Sequence, residues 1–166
     1  TDRSLNHMSQ AFQHVMRDLH AGLSEVYNCP SVAIVPGGGS IAIEAVARQF
    51  ATDKTVTVIR NGWFSFRWSQ VFDAGDIPAK TEVLLAKRTS NDPTAPFAPP
   101  PIAEVVAAIA EAKPDVVCAA HVETSAGLIL PDDYIKAVAD AVHAHGGLFI
   151  LDCVASGCIW VDMEAT

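Results

Sequence analysis

Residues 131–152, PDDYIKAVADAVHAHGGLFILD, decide the fold. Pro131 to His145 reads as a helix, closed by Gly146 and Gly147, because paired glycines end a helix without a side-chain penalty. Leu148 to Asp152 follows at once as an apolar strand that ends in a carboxylate. The segment just upstream repeats the arrangement. Pro101–Lys113 reads as a helix, with Pro at its start and Pro114 just beyond, and Asp115–Ala120 as a strand of buried type. Near-continuous apolar strands separated by helices belong to a largely parallel sheet covered on both faces.

The same alternation extends toward the N-terminus. Thr55–Ile59 and Glu82–Ala86 read as strands, and Ile41–Phe50 and Trp63–Phe72 as helices. Ser31–Val35, stopped by Pro36 and three glycines, is predicted to be a further short strand. Ser4–Tyr27 has helical periodicity, with Leu5, Met8, Phe12, Val15, Met16, Leu19 and Leu23 at three- and four-residue steps. Lys87–Pro101, rich in Pro, Ser, Thr and Asn, is predicted to be a loop, and loops of that length commonly serve a site or a partner. The expected fold class is α/β, an open parallel sheet with its ligand at the strand ends.

Composition narrows the function classes. Half the residues are hydrophobic and the formal net charge is −8, so the chain is a folded acidic domain without a basic stripe for nucleic acid. No apolar run spans a bilayer; Gly146–Val161 comes nearest and Asp152 interrupts it. Cys29, Cys118, Cys153 and Cys158 are scattered among apolar residues, which suits buried reduced thiols in a cytoplasmic protein. The spacing of Cys153 and Cys158 is not a zinc knuckle, and His121, His143 and His145 form no metal-ligand pattern with Asp or Cys. The chain opens at Thr1, Asp2 and Arg3 without an initiator Met or a signal peptide and is expected to begin inside a longer one.

Four segments at strand ends carry polar or glycine-rich chemistry. Pro36-Gly37-Gly38-Gly39-Ser40-Ile41 joins a predicted strand to a helix, where free N–H groups and the helix dipole suit a phosphate. The alternative is a flexible turn with Ser40 as N-cap. It lacks the Gly-Lys-Ser/Thr of a P-loop and the third glycine of a dinucleotide fingerprint. Asn61-Gly62-Trp63-Phe64-Ser65-Phe66-Arg67-Trp68 crowds four aromatic rings at a strand end, to stack on a planar ligand or simply to pack the core. His121-Val122-Glu123-Thr124-Ser125-Ala126-Gly127 puts polar groups after an apolar strand, as a ligand edge or a satisfied turn. Asp152 ends the last strand, where a buried carboxylate needs a cation or donor; otherwise it caps the following turn.

In this order the four segments resemble class V aminotransferases of pyridoxal phosphate (PLP) fold type I, the alanine–glyoxylate and serine–pyruvate aminotransferase group in particular. The resemblance runs through essentially the whole chain. It implies a three-layer α/β/α large domain, truncated, with the family's N-terminal arm, Schiff-base lysine region and C-terminal small domain outside residues 1–166. It implies that Gly39, Ser40 and Ile41 bind the PLP phosphate, largely through backbone N–H groups. It places the ring of Phe64 over the pyridine, with neighbouring Trp63 as second candidate because Ser65 stands where the family has Gly. Thr124 would supply a hydroxyl to the phenolic oxygen, with Glu123 orienting the site. Asp152 would face the pyridine nitrogen, and Val154 the ring face opposite Phe64.

One departure stands out: no lysine occurs between Asp152 and Thr166. Lys136 falls in a helix, and Lys54, Lys80 and Lys87 fall in the wrong segments. The chain is therefore expected to stop before the family's reactive lysine, and Arg67 is not the substrate-carboxylate arginine, which the family keeps in its C-terminal domain. The resemblance implies amino-group transfer between a small amino acid and a 2-oxo acid by a cytoplasmic homodimer, with Asn91–Pro101 and the N-terminal helix at the interface. Phosphoserine aminotransferase, aminoethylphosphonate transaminase and cysteine desulfurase chemistry stay open. So does a non-catalytic fragment that binds the cofactor or assists assembly.

Overall fold

A computed structural model of the chain describes residues 4–156, 159 and 161–163. Cys158 and Thr1, Asp2 and Arg3 lie outside the described residues.

Helix α1 (Gln10–Val26) is followed by α2 (Gly39–Phe50), strand β1 (Thr55–Arg60), α3 (Trp63–Gly75) and β2 (Lys80–Leu85). A short ladder, β3 (Lys87–Arg88) with β4 (Phe97–Ala98), leads to α4 (Ile102–Ala112) and β5 (Val116–Ala120). A second small hairpin, β6 (Val122–Glu123) with β7 (Leu128–Ile129), precedes α5 (Asp132–His143) and β8 (Leu148–Asp152). The main sheet runs β2-β1-β5-β8 with every pair parallel.

Period-two side-chain alternation builds the layers. Val116 and Cys118 of β5, with Val56 and Val58 of β1, pack under Ala47 of α2 and Trp68 and Phe72 of α3. Val117 and Ala119, with Ile59, face the other way onto Val105 and Ile109 of α4 and Ile135, Val138 and Val142 of α5. All five residues of β5 are buried, as expected for a strand covered on both faces. The result is the three-layer α/β/α sandwich expected from the sequence.

Local chemistry sets the boundaries. Pro101 stands just before α4, where its missing N–H costs nothing, and Lys113 turns left-handed (φ 46°) ahead of Pro114. Ser9 caps α1 through Phe12 N–H at 3.2 Å, five residues after the predicted start at Ser4. Residues 87–101 hold a braced hairpin rather than an open loop. Asp92 Oδ1 accepts from Thr94 N–H and Oγ1 at 2.7 Å each, and Arg88 donates to Pro93 O and Ala95 O while stacking on Phe97.

The strand predicted at Ser31–Val35 does not form. The run is apolar and β-branched enough, but no described strand lies beside it, and Ile34 and Val35 stand exposed. Beta structure needs a partner to bond, whatever the local propensity. Helix α1 likewise buries none of its residues, and Leu5, Met8, Val15, Leu19 and Val26 are exposed. Among the described thiols, Cys118 is buried, whereas Cys29 and Cys153 are only half-buried, short of the buried state expected for them. No helix among the described residues is long and apolar enough to cross a membrane.

Candidate functional site at the sheet edge

Because β1, β5 and β8 are parallel neighbours, their C-terminal ends emerge side by side. Ala120 is in register with Asp152, and His121 N–H donates to Asp152 O at 2.9 Å. Three of the four polar segments start there, and the fourth, the glycine turn, reaches the same edge. A methyl built on Gly39 would stand 3.7 Å from Val154 Cγ2.

At the glycine turn, α2 begins with Gly38 as N-cap and no side chain capping it. The N–H groups of Gly39 and Ser40 bond no other described residue, and the Ser40 side chain is exposed. The Ile41 N–H, expected to join them, instead donates to Gly38 O at 2.9 Å as the first bond of the helix. Ser40 lies inside the helix and is not its N-cap.

Helix α3 starts quite differently. The Glu123 carboxylate, 1% exposed, sits across its first turn. Oε1 accepts from Phe64 N–H at 2.9 Å and from Ser125 Oγ at 2.6 Å. Oε2 accepts from Ser65 N–H at 2.9 Å and Ser65 Oγ at 2.7 Å. Ser125 Oγ in turn accepts from Trp63 N–H at 2.8 Å, and Ser65 Oγ accepts from Asn61 N–H at 2.8 Å and Gly62 N–H at 3.1 Å. Burial opposes ionisation of Glu123. The bonds from Ser125, Ser65 and Phe64 outweigh it and hold the carboxyl below its ordinary value. Gly62 permits the approach: a Cβ there would fall 2.5 Å from Ser125 Oγ and 2.6 Å from Glu123 Cγ.

The rings of Trp63 and Phe64 are exposed at 55% and 42%, so they are not core packing, whereas Trp68 and Phe72 are. Thr124 is exposed, and its hydroxyl bonds no other described residue. A cavity of about 290 Å³ adjoins this edge, lined by Asn61, Gly62, Ala86, Phe97, Ser125 and Ala126. A groove of about 320 Å³ runs between α2 and α3, with Ser40 at one end and Arg67 along it; its Arg48 is held by Glu44 at 2.9 Å.

Asp152 is half-buried rather than enclosed. Its Oδ1 accepts from Val154 N–H at 3.0 Å, so the carboxylate does cap the following turn, while Oδ2 accepts from no described residue. The Val154 side chain is 71% exposed beside Gly39. Asp152 also raises the Cys118 thiol, though burial is the larger cause. Behind the edge, His121 is 2% exposed with Nδ1 2.8 Å from Ser156 Oγ. Burial lowers its pKa, against a smaller opposing pull from Asp132. His143 is exposed, and His145 reaches Pro114 O and Ala141 O. Among the described residues no three His, Cys, Asp or Glu are grouped to hold a metal ion. Lys136 is exposed and pairs with Asp140 at 3.3 Å, far from a reactive role.

The sequence did not disclose the Glu123 network, the His121–Ser156 contact or the β6–β7 hairpin. Two signals bore on the first: a buried-type strand running into Glu123, and a Gly at position 62 directly before an aromatic helix.

This α/β/α arrangement, with its polar strand ends, has the fold of the class V aminotransferases and matches the large domain of PLP fold type I. At the level of sequence, neither a family profile nor a curated protein matches the chain. Among solved structures, a ureidoglycine–glyoxylate aminotransferase from Bacillus subtilis superposes with a TM-score of 0.82 at 22% identity, covering 99% of this chain and 40% of that one. An alanine–glyoxylate aminotransferase from Nostoc sp. gives 0.73 at 22% identity, over 93% and 38%. An aspartate aminotransferase of subgroup IV from Thermus thermophilus gives 0.72 at 26% identity, over 93% and 41%. The chain thus spans about two fifths of the length of the structures it matches.

Proposed function

We propose that this chain forms the cofactor-binding face of a PLP-dependent aminotransferase. The protein carrying it would move an amino group between a small amino acid of the alanine or serine type and a 2-oxo acid of the glyoxylate or pyruvate type. The observation that carries this reading is the convergence, on one strand edge, of an uncapped helix start, exposed rings, a free hydroxyl and a carboxylate with one open oxygen.

The residues fit the group. Gly39 and Ser40 offer two N–H donors at the positive end of α2, where a phosphate dianion is favoured. Ile41 lines the turn without offering its N–H. Phe64, with Trp63 beside it, would cover one face of the planar ring, and Val154 the other. Thr124 would give its hydroxyl to the phenolic oxygen. Asp152 would hold the pyridine nitrogen through Oδ2, and an adjacent negative charge favours the protonated ring. When bound, PLP supplies an electron sink for the negative charge that develops at the substrate's α-carbon. Residues 1–166 are then part of the large domain, and the lysine that reacts with the cofactor belongs to the longer protein. The exposed apolar stripe of α1 and the hairpin at 87–101 suit a homodimer interface.

Absorption titration of the full-length protein with PLP in the near-visible region tests this directly. Saturable binding is expected, and Asp152→Ala should lose most of the transamination rate while keeping its urea midpoint. A variant that binds PLP and transaminates like the parent overturns the assignment of Asp152. A full-length protein that is strictly monomeric by light scattering overturns the dimer.

A further inference from the structure

The structure assigns Glu123 a positioning role: its buried carboxylate fixes the aromatic side of the cofactor site, carried by α3, against the hydroxyl side, carried by the β6–β7 turn. This inference rests on the PLP reading above and adds to it the element that sets the width of the site.

The geometry is specific. Glu123 immediately precedes Thr124, the exposed residue assigned above to the phenolic oxygen. Its side chain crosses to the other side and holds the backbone of Phe64, the residue that presents the ring, at 2.9 Å. One residue therefore joins the two sides across a separation of 59 positions in the chain. Four donors converge on its two oxygens, two on each. All N–H groups from Asn61 to Ser65 are bonded to Glu123, Ser125 or the Ser65 hydroxyl. No ligand is needed to order α3, and no donor of its first turn is left over for a phosphate.

The chemistry calls for a carboxylate at this point. Every group facing it donates, and only an ionised acid presents acceptors on both oxygens. The amide of a glutamine would turn an NH2 toward the Ser65 N–H. The Ser65 hydroxyl could not compensate, because it already accepts from Asn61 and Gly62. Ser125 extends the same device, since its hydroxyl bridges Trp63 N–H to Glu123 Oε1.

The test uses the full-length protein and two variants, Glu123→Gln and the milder, exposed-site Ser125→Ala. Three quantities are measured: amide exchange over residues 61–66 without cofactor, PLP affinity by absorption, and inorganic phosphate affinity by calorimetry. Glu123→Gln is expected to speed exchange at Phe64 and Ser65 and to weaken PLP about tenfold, the loss of one charge-assisted bond's worth of positioning. Phosphate affinity should stay at the parent value, because α2 is untouched. Ser125→Ala should shift exchange and PLP in the same direction by about threefold, and it carries the test if Glu123→Gln does not fold. Faster exchange with PLP affinity unchanged in either variant overturns the positioning role and leaves only a helix cap. Unchanged exchange overturns the clamp itself. A parent protein that binds phosphate but not PLP overturns the cofactor reading, and that failure is visible before any variant is made.

Discussion

Helices α2 and α3 pack on the same face of the sheet and start at the same edge, yet one start is open and the other is sealed. At α2, three glycines and an uncapped turn leave the N–H groups of Gly39 and Ser40 without a partner among the described residues. At α3, an internal anion, Glu123, occupies the position where an external one would otherwise bind. Both starts carry the partial positive charge of a helix N-terminus. On the proposed reading the open start serves recognition and the sealed one rigidity: a helix start can take an external anion only where nothing in the chain has already filled it.

Substitutions can break this contrast from either side. The largest effect is expected from Glu123→Ala, which leaves the buried N–H of Ser65 and its neighbour at Phe64 without acceptors; stability should fall by about 3 kcal/mol, read as a lower urea midpoint. Gly62→Ala should cost about 2 kcal/mol by the same measurement, because its methyl collides with Glu123 and Ser125. A smaller effect of opposite sign is expected from inorganic phosphate. At ten times its dissociation constant it should stabilise the parent by about 1.4 kcal/mol, and a midpoint that does not move would close α2 as an anion site. The smallest change is expected from Gly39→Ala. Its methyl makes only ordinary contact with Val154, so stability should stay within about 0.5 kcal/mol while PLP affinity falls.

Acid adds a further probe of the sealed side. The pKa of His121 is lowered by burial in the folded protein, so the unfolded chain takes up the proton first. Stability should therefore be full above the ordinary histidine range and decline as pH falls through it. Glu123, with its pKa depressed, contributes stability that is full above the usual carboxylate range and is lost as pH falls through that range toward its lower folded value. Urea midpoints measured from neutral to acidic pH should show two successive losses, the second smaller in Glu123→Ala, where Asp92 and Asp115 still hold depressed pKa values.

The sandwich was legible because its signals are local. Strand β5 has the unbroken apolar run of a doubly covered strand, and helices α4 and α5 are bracketed by Pro and Gly. The candidate site was legible as four strand-end segments, because parallel strands force their ends onto one edge. What escaped depended on distant partners. Ser31–Val35 has strand propensity but no neighbouring strand among the described residues, so propensity alone misleads there. Glu123 reads as one polar residue among several, since the N–H groups it holds lie 58 and 59 residues earlier. Asp152, by contrast, caps the following turn through Val154 N–H, one of the two readings its sequence allows.

Every ladder of the main sheet joins strands distant in sequence: Thr55 lies opposite Lys80, Val56 opposite Val116, and Val116 opposite Leu148. No neighbouring pair can zip from a tight hairpin, so each must close a long loop before its first bond forms, which slows folding. During synthesis, the aromatic helix emerges well before the acid that secures its first turn. Its first-turn amide groups stay with water until β5 and the Glu123 that follows it have docked.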